Sequence, residues 1–425
     1  MKANYVPMWD SLGLDLAAHD ALLGILRQGY CQIFMSQLNR PGGMVYFDFV
    51  MSEVHGLRVK ELLDGKAAGH KVLGAYCTFV PEEIVRAADA TLVGLCSGAD
   101  FATEEVEKLL PRNTCALIKS AFGFLLGKVC PYIEAADMIV GENTCDGKKK
   151  SYEVLKDLVP NFYVMNLPQM KTDEGRALLK AEYERFKNAV EELTGNTIDV
   201  VRLKKAMEIV NNKRSALHRL NSFRGADPVP ISGLDALLAN QVFFYDDPAR
   251  FTDSVNKLGD ELEKRVQEGE GVFPKGTPRI LMSGCPMAVP NWKVPWIVES
   301  SGAVIVGEES CVGERGTRNL TSDQGSTYGE LLDNIVDRYF KIDCAIFTPN
   351  PDRQQHIEEM YEDYRADGVI HYGLQFCQPY QMEAMPIEKN LEQKGIPVLR
   401  IETDYSMEDV EQIKTRVEAF LERIG

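Results

Sequence analysis

Apolar residues recur at helical spacing through the first part of the chain, in Leu12, Leu14, Leu16, Leu22, Leu23 and Leu26 and again in Val54, Leu57, Val59, Leu62 and Leu63. This spacing predicts an N-terminal helical region, 1–68. From Lys71 the pattern changes to short continuous apolar runs separated by helical periods. Lys71–Tyr76, Thr91–Leu95, Ala136–Val140 and Phe162–Leu167 read as buried strands. Pro81-Glu82-Glu83 opens a helix after the first, with proline at a tolerated first-turn position and acids facing the positive end of the helix dipole. These elements predict a first α/β domain, 69–170. Between 171 and 275 densely charged helices take over, with Leu178, Leu179, Tyr183, Phe186, Val190 and Leu193 as an apolar stripe and Pro228 and Pro230 as a break. This stretch reads as a helical insert or lid whose stripe packs a core and carries no chemistry. Strand-like runs return at Ile280–Gly284, Ala303–Gly307, Ala345–Thr348, Val369–Phe376 and Val398–Glu402, ahead of a C-terminal helix Met407–Ile424, and predict a second α/β domain, 276–425. Strands that alternate with helices imply parallel sheets. The expected fold class is therefore α/β: two doubly wound domains facing each other, with N-terminal helices and a helical insert.

The cysteines are distributed unevenly over this pattern. Of the ten, Cys77, Cys96, Cys115, Cys145, Cys285, Cys311 and Cys377 lie at or near the carboxyl edges of the strands. Ligands of open α/β sheets gather at that edge. Cys31 falls among the N-terminal helices, and Cys130 and Cys344 each stand before a strand, at the opposite edge, so these three are assigned to packing. Cys145 has the most telling surroundings, Gly141-Glu142-Asn143-Thr144-Cys145-Asp146-Gly147-Lys148-Lys149-Lys150. It sits between a strand and a helix N-terminus, where the dipole and three lysines favour a thiolate or an anionic cluster. Buried cysteines placed at random would scatter over both edges. Their bias predicts one sulfur-rich site in the cleft, and its recurrence in both halves suggests a weak internal repeat.

No C-x-x-C pair is present, which excludes zinc ribbons, thioredoxin motifs and ferredoxin-type runs. Soft thiolates without a ligand-spaced histidine pair point to zinc or iron–sulfur chemistry. Zinc takes four ligands and would leave several edge cysteines idle; cubane clusters use more of them. Among the six histidines only His371 falls near the cleft, where it reads as a core residue. Glu309, beside Cys311, is the other candidate acid or base. Tyr76, Asn143, Thr144 and Lys148 are candidates for shaping the site, each with an ordinary structural role available. Neither a phosphate-binding G-x-x-x-x-G-K-[ST] loop nor a G-x-G-x-x-G turn after a strand occurs, so ATP hydrolysis by the chain itself is not expected. A net charge of −16 argues against nucleic acid and against anionic membranes as partners. With no span-length apolar run and no signal-peptide pattern, a soluble cytoplasmic protein is expected.

Several segments together resemble the 2-hydroxyacyl-CoA dehydratase and benzoyl-CoA reductase family. They are Tyr76-Cys77-Thr78-Phe79-Val80-Pro81-Glu82-Glu83-Ile84, Leu110-Pro111-Arg112-Asn113-Thr114-Cys115 with Ile118-Lys119-Ser120, and Thr144–Lys150. Asp367–Ile370 through Phe376-Cys377, and Ile401-Glu402-Thr403-Asp404-Tyr405, complete the likeness. The resemblance implies two Rossmann-like domains and a 4Fe–4S cluster held by Cys115, Cys145 and Cys377. It also implies electrons delivered by a separate ATP-hydrolysing iron–sulfur activator. The surplus of edge cysteines resembles the double-cubane cluster branch, a homodimeric group in which six cysteines per chain hold two sulfide-bridged 4Fe–4S cubanes. That likeness implies further ligands among Cys77, Cys96, Cys285 and Cys311, with Cys285 the weakest, and a reductase component acting on small molecules. The alternative it leaves open is a subunit of a 2-hydroxyacyl-CoA dehydratase with a single 4Fe–4S cluster.

Overall fold

A computed structural model describes residues 4–425 of the chain. Four N-terminal helices lead into a first sheet of four parallel strands: β1 (Lys71–Ala75), β2 (Ala90–Gly94), β3 (Met138–Glu142) and β4 (Phe162–Met165). Its strand order is β2-β1-β3-β4. Long helices, Asp173–Thr194, Val200–Ser222 and Pro248–Glu268 among them, separate it from a second sheet. This sheet contains β5 (Arg279–Gly284), β6 (Val304–Glu309), β7 (Gly368–Leu374) and β8 (Val398–Thr403), in the order β6-β5-β7-β8. Both sheets are wholly parallel and follow the same path. In each, the strand order reverses beside the first strand, at the kind of switch point where open α/β sheets hold ligands.

One expected strand is absent. Ala345–Thr348 forms turns, not a fifth strand of the second sheet. Phe347 N donates back to the Cys344 carbonyl at 3.1 Å. The Asn350 amide ties down the carbonyls of Asp343 and Cys344 at 3.3 and 3.1 Å, and Pro349 has no donor for a ladder. Cys344 is therefore not at the amino edge of any strand.

The cores explain how the two halves stay in register. The largest buried cluster joins Phe34, Phe47 and Val59 of the N-terminal helices to Val72 and Tyr76, to Leu217 and Leu237 of the central helices, and to Ile280 and Met282 of β5. A second cluster covers the outer face of the first sheet. Leu73 and Val140 pack there against Tyr183 and Phe186, and also against Leu332 and Val336 of helix Tyr328–Phe340. That helix lies between β6 and β7 in sequence, so an element of the second half seals the first sheet. Tyr183 and Phe186 are fully buried, each contributing on the order of 2 kcal/mol of hydrophobic stabilisation. Among the described residues no helix is long and apolar enough to cross a membrane.

Candidate functional site

Cys115, Cys145 and Cys377 occupy equivalent local positions. Each is the N-cap of a helix: Ala116–Leu126, Asp146–Leu158 and Gln378–Gln393 respectively. None of the three side chains caps its own helix, so the thiols are left to face outward beside the positive end of the dipole. Phe376, immediately before Cys377, takes a left-handed φ of 63°. That conformation is uncommon for a bulky residue and recurs where structure is imposed by a site.

These thiols open onto one cavity of about 180 Å³, where seven cysteines form part of the wall: Cys77, Cys96, Cys115, Cys145, Cys311, Cys344 and Cys377. Two neighbourhoods can be told apart. Cys377 is in hydrogen-bonding reach of Cys115, and this contact together with burial holds the Cys115 thiol well up. Cys311 acts on Cys77, Cys96 and Cys344 together. Burial, the largest influence, pushes Cys96 up to about 12 and Cys344 up to about 11. Burial thus disfavours the thiolate at Cys77, Cys96 and Cys344, and metal binding there would release protons.

Cys285 does not line the cavity but stands directly behind Cys377, in hydrogen-bonding reach of its thiol. It is buried outside the cavity wall, and its sulfur accepts from the Leu374 amide at 3.4 Å. Cys344, assigned to packing by the sequence pattern, does pack in the core over the first sheet and also takes part in the wall. Cys31 and Cys130 do not line it.

Lys148 is the lysine of its trio that reaches the thiols. Its ammonium lies 3.3 Å from the Tyr76 carbonyl and draws down both Cys77 and Cys96 against the effect of burial. Lys149 and Lys150 are exposed, and Lys150 pairs with Glu153 at 3.0 Å. Tyr76 and Thr144 line the cavity, the Tyr76 hydroxyl having no protein partner. Asn143 is structural: it donates to Asn166 at 2.8 Å and accepts from Leu167 N at 2.6 Å.

Glu309 and His371 are not free acids or bases at the cavity. Glu309 is fully buried, accepting from Arg315 at 2.7 Å, Arg353 at 3.1 Å and Ser283 at 2.7 Å. Its effect on the site runs through Arg315, whose other end approaches the Cys311 sulfur at 3.6 Å. His371 is buried with Nε2 against the Tyr380 carbonyl at 3.3 Å, and burial pushes it down to about 3.

Sequence reasoning missed several wall residues. Lys213 and Arg214 come from helix Val200–Ser222 of the expected helical insert, beyond the stripe read as packing, and Arg338 comes from helix Tyr328–Phe340. Glu142, at the end of β3, is also buried; its Oε1 accepts from Cys77 N at 3.1 Å while Oε2 has no partner. No sequence signal separates these residues from solvated charges on helices and strand ends.

The donor chemistry is thiol-rich and lacks histidine. Among the described residues no three of His, Cys, Asp and Glu converge closely enough to hold a single metal ion. The thiols surround a space instead of meeting at a point, which suits a multi-atom cluster bound at its corners better than one zinc ion.

Comparisons with known proteins agree on kinship. The family model described as 2-hydroxyglutaryl-CoA dehydratase, D-component, matches residues 77–424. The protein YjiM of Escherichia coli (strain K12), which bears the name of a dehydratase subunit, is 39% identical over 85% of this chain and 94% of its own length. The (R)-phenyllactyl-CoA dehydratase beta subunit of Clostridium sporogenes is 26% identical over 84% of this chain and 92% of its own. A benzoyl-CoA reductase subunit of Thauera aromatica is 20% identical over 83% of this chain and 91% of its own. With matched segments that contain Cys77, Cys115, Cys145 and Cys377, the chain belongs to the family of the 2-hydroxyglutaryl-CoA dehydratase D-component.

Proposed function

We propose that this protein is the substrate-reducing component of an iron–sulfur reductase and carries a double-cubane cluster in the cysteine-lined cavity. The observation that carries this reading is the number of thiols on one wall: seven, where a single three-cysteine cubane would leave four without a purpose. Cys115, Cys145 and Cys377 would hold one cubane, and three of Cys77, Cys96, Cys311 and Cys344 the other. Cys285, outside the wall, is not in the set. When bound, the cluster would supply low-potential electrons received from a separate ATP-hydrolysing iron–sulfur partner.

The chain's own residues have definable tasks. Lys148 offsets the negative charge of cluster-bound thiolates, and Arg315 orients Cys311 through the contact at 3.6 Å. Phe243, Phe244, Tyr245 and Ile118 make much of the remaining wall apolar and restrict water. At about 180 Å³ the cavity falls below the range that encloses a drug-sized ligand, roughly 300–1,000 Å³, and the cluster would take up part of it, so the substrate is a small molecule.

The second reading is a 2-hydroxyacyl-CoA dehydratase subunit with one 4Fe–4S cluster, favoured by the names of the relatives. The two readings separate in a direct assay. Anaerobically purified protein, supplied with an iron–sulfur activator and ATP, should reduce a small probe such as acetylene and ignore 2-hydroxyacyl-CoA esters. Dehydration of such an ester without reduction of the probe would establish the second reading.

A further inference from the structure

Three cationic side chains share the cavity wall with the cysteines: Lys213, Arg214 and Arg338. All three are buried, Arg214 and Arg338 being only 3% exposed. Burying charge is tolerated when it is paired, and here the pairing is incomplete. Lys213 donates to Glu82 at 2.8 Å, a carboxylate it shares with Arg86 at 2.6 Å. Arg214 donates to Glu83 at 2.7 Å, to Thr321 at 3.1 Å and to the Tyr339 hydroxyl at 3.0 Å, but its buried Nε has no partner. Arg338 donates to the carbonyls of Asn319, at 3.0 Å, and Gly316. No carboxylate lies within ion-pairing distance of Arg338 among the described residues. The cluster therefore sets four cations, Arg86 included, against two carboxylates. Arg214 and Arg338 repel each other, and burial with that repulsion pulls Arg338 down to about 10.

The thiols have cations of their own. The cations that act on them are Lys148, on Cys77 and Cys96, and Arg315, on Cys344. An anion from outside the chain would supply the missing partner. Guanidinium groups present parallel N–H donors that match a flat oxyanion, and a small enclosed space admits a carboxylate with a short stem.

We propose that Lys213, Arg214 and Arg338 form a subsite for a small carboxylate, holding the charged group of a substrate whose remainder faces the thiol-lined part of the same cavity. The role of the thiol-lined part rests on the cluster reading above; the anion subsite itself does not. It narrows the substrate class from small molecules in general to short unsaturated or otherwise reducible carboxylates.

The test is calorimetric titration of the anaerobically purified protein with acetate, with acetamide as the uncharged counterpart. Acetate should bind saturably and acetamide should not. Arg338→Gln should weaken acetate at least tenfold, and Arg338→Lys should restore part of the loss. Should Arg338→Gln fail to fold, the acetate–acetamide contrast decides on the unaltered protein, together with an acetate-soaked crystal in which the carboxylate should lie beside Arg338. Absence of saturable acetate binding, equal binding of acetamide, unchanged affinity in Arg338→Gln, or acetate found in the crystal only elsewhere would overturn the subsite. Iron content is read on the same preparations. Iron-replete protein that does not bind acetate counts against the subsite alone, and iron-free protein that binds it counts against the cluster alone.

Discussion

Cys311 and Cys285 make a discriminating pair at the scale of single residues. Cys311 neighbours three other cavity thiols, whereas Cys285 sits behind the wall, between the Leu374 amide and the Cys377 thiol. Cys311→Ser should lower the iron content of anaerobically purified protein to about half, and Cys285→Ser should leave it unchanged. Lys148→Ala removes the one lysine charge that reaches Cys77 and Cys96. Positive charge favours the more negative, reduced state of a cluster, so its loss should lower the midpoint potential in a redox titration. A unit charge several ångströms away at an effective dielectric near 20 sets the scale at roughly 100 mV. Glu82 gives a pH signature. Burial alone would raise its carboxyl, but Lys213 and Arg86 hold it at about 2, below the ordinary 4.5. A depressed pKa contributes stability that is complete above the unfolded value and is lost as pH falls through the folded one. Urea midpoints should therefore decline between about pH 4.5 and 2, and Glu82→Gln should flatten that decline while costing stability at neutral pH.

Strand ends place the thiols, and Gly284 shows how tightly. It closes β5 with φ at 138°, and a Cβ there would stand 1.9 Å from the Tyr372 carbonyl of β7. The neighbouring Cys285 amide donates to that same carbonyl at 3.0 Å. Gly284→Ala combines backbone strain with a clash against backbone, and should destabilise the fold by about 2 kcal/mol or more in urea denaturation. The strands were legible because continuous Val, Ile and Leu runs of four to six residues have few other fates in an α/β chain. Every strand of both sheets was anticipated within a few residues. Ala345–Thr348 misled because a four-residue apolar run carries no sign of whether an adjacent strand is free to pair with it. Its true conformation depends on Asn350, which ties down carbonyls that a ladder would have used. The misreading of that run is also what hid Cys344.

The cysteines could be read from the chain at the scale of the molecule because the carboxyl edges of two like sheets converge on one cleft, and the thiols follow those edges. The cationic side chains could not. Lys213 and Arg214 lie on a charged helix, and Arg338 on an amphipathic one, where outward-facing residues of the same type are the ordinary case. Their burial is produced by two long-range contacts, the packing of helix Val200–Ser222 against the early helix Glu82–Ala87 and the closure of helix Tyr328–Phe340 over the first sheet. The same interlocking makes the cavity a property of both halves together, so neither set of thiols alone defines it. The most direct test of the account is therefore a count over the whole chain. Anaerobic quantitation of iron and acid-labile sulfide should give about eight irons per chain, the content of two cubanes; a value of about four, or iron lost equally from Cys285→Ser and Cys311→Ser, would contradict it.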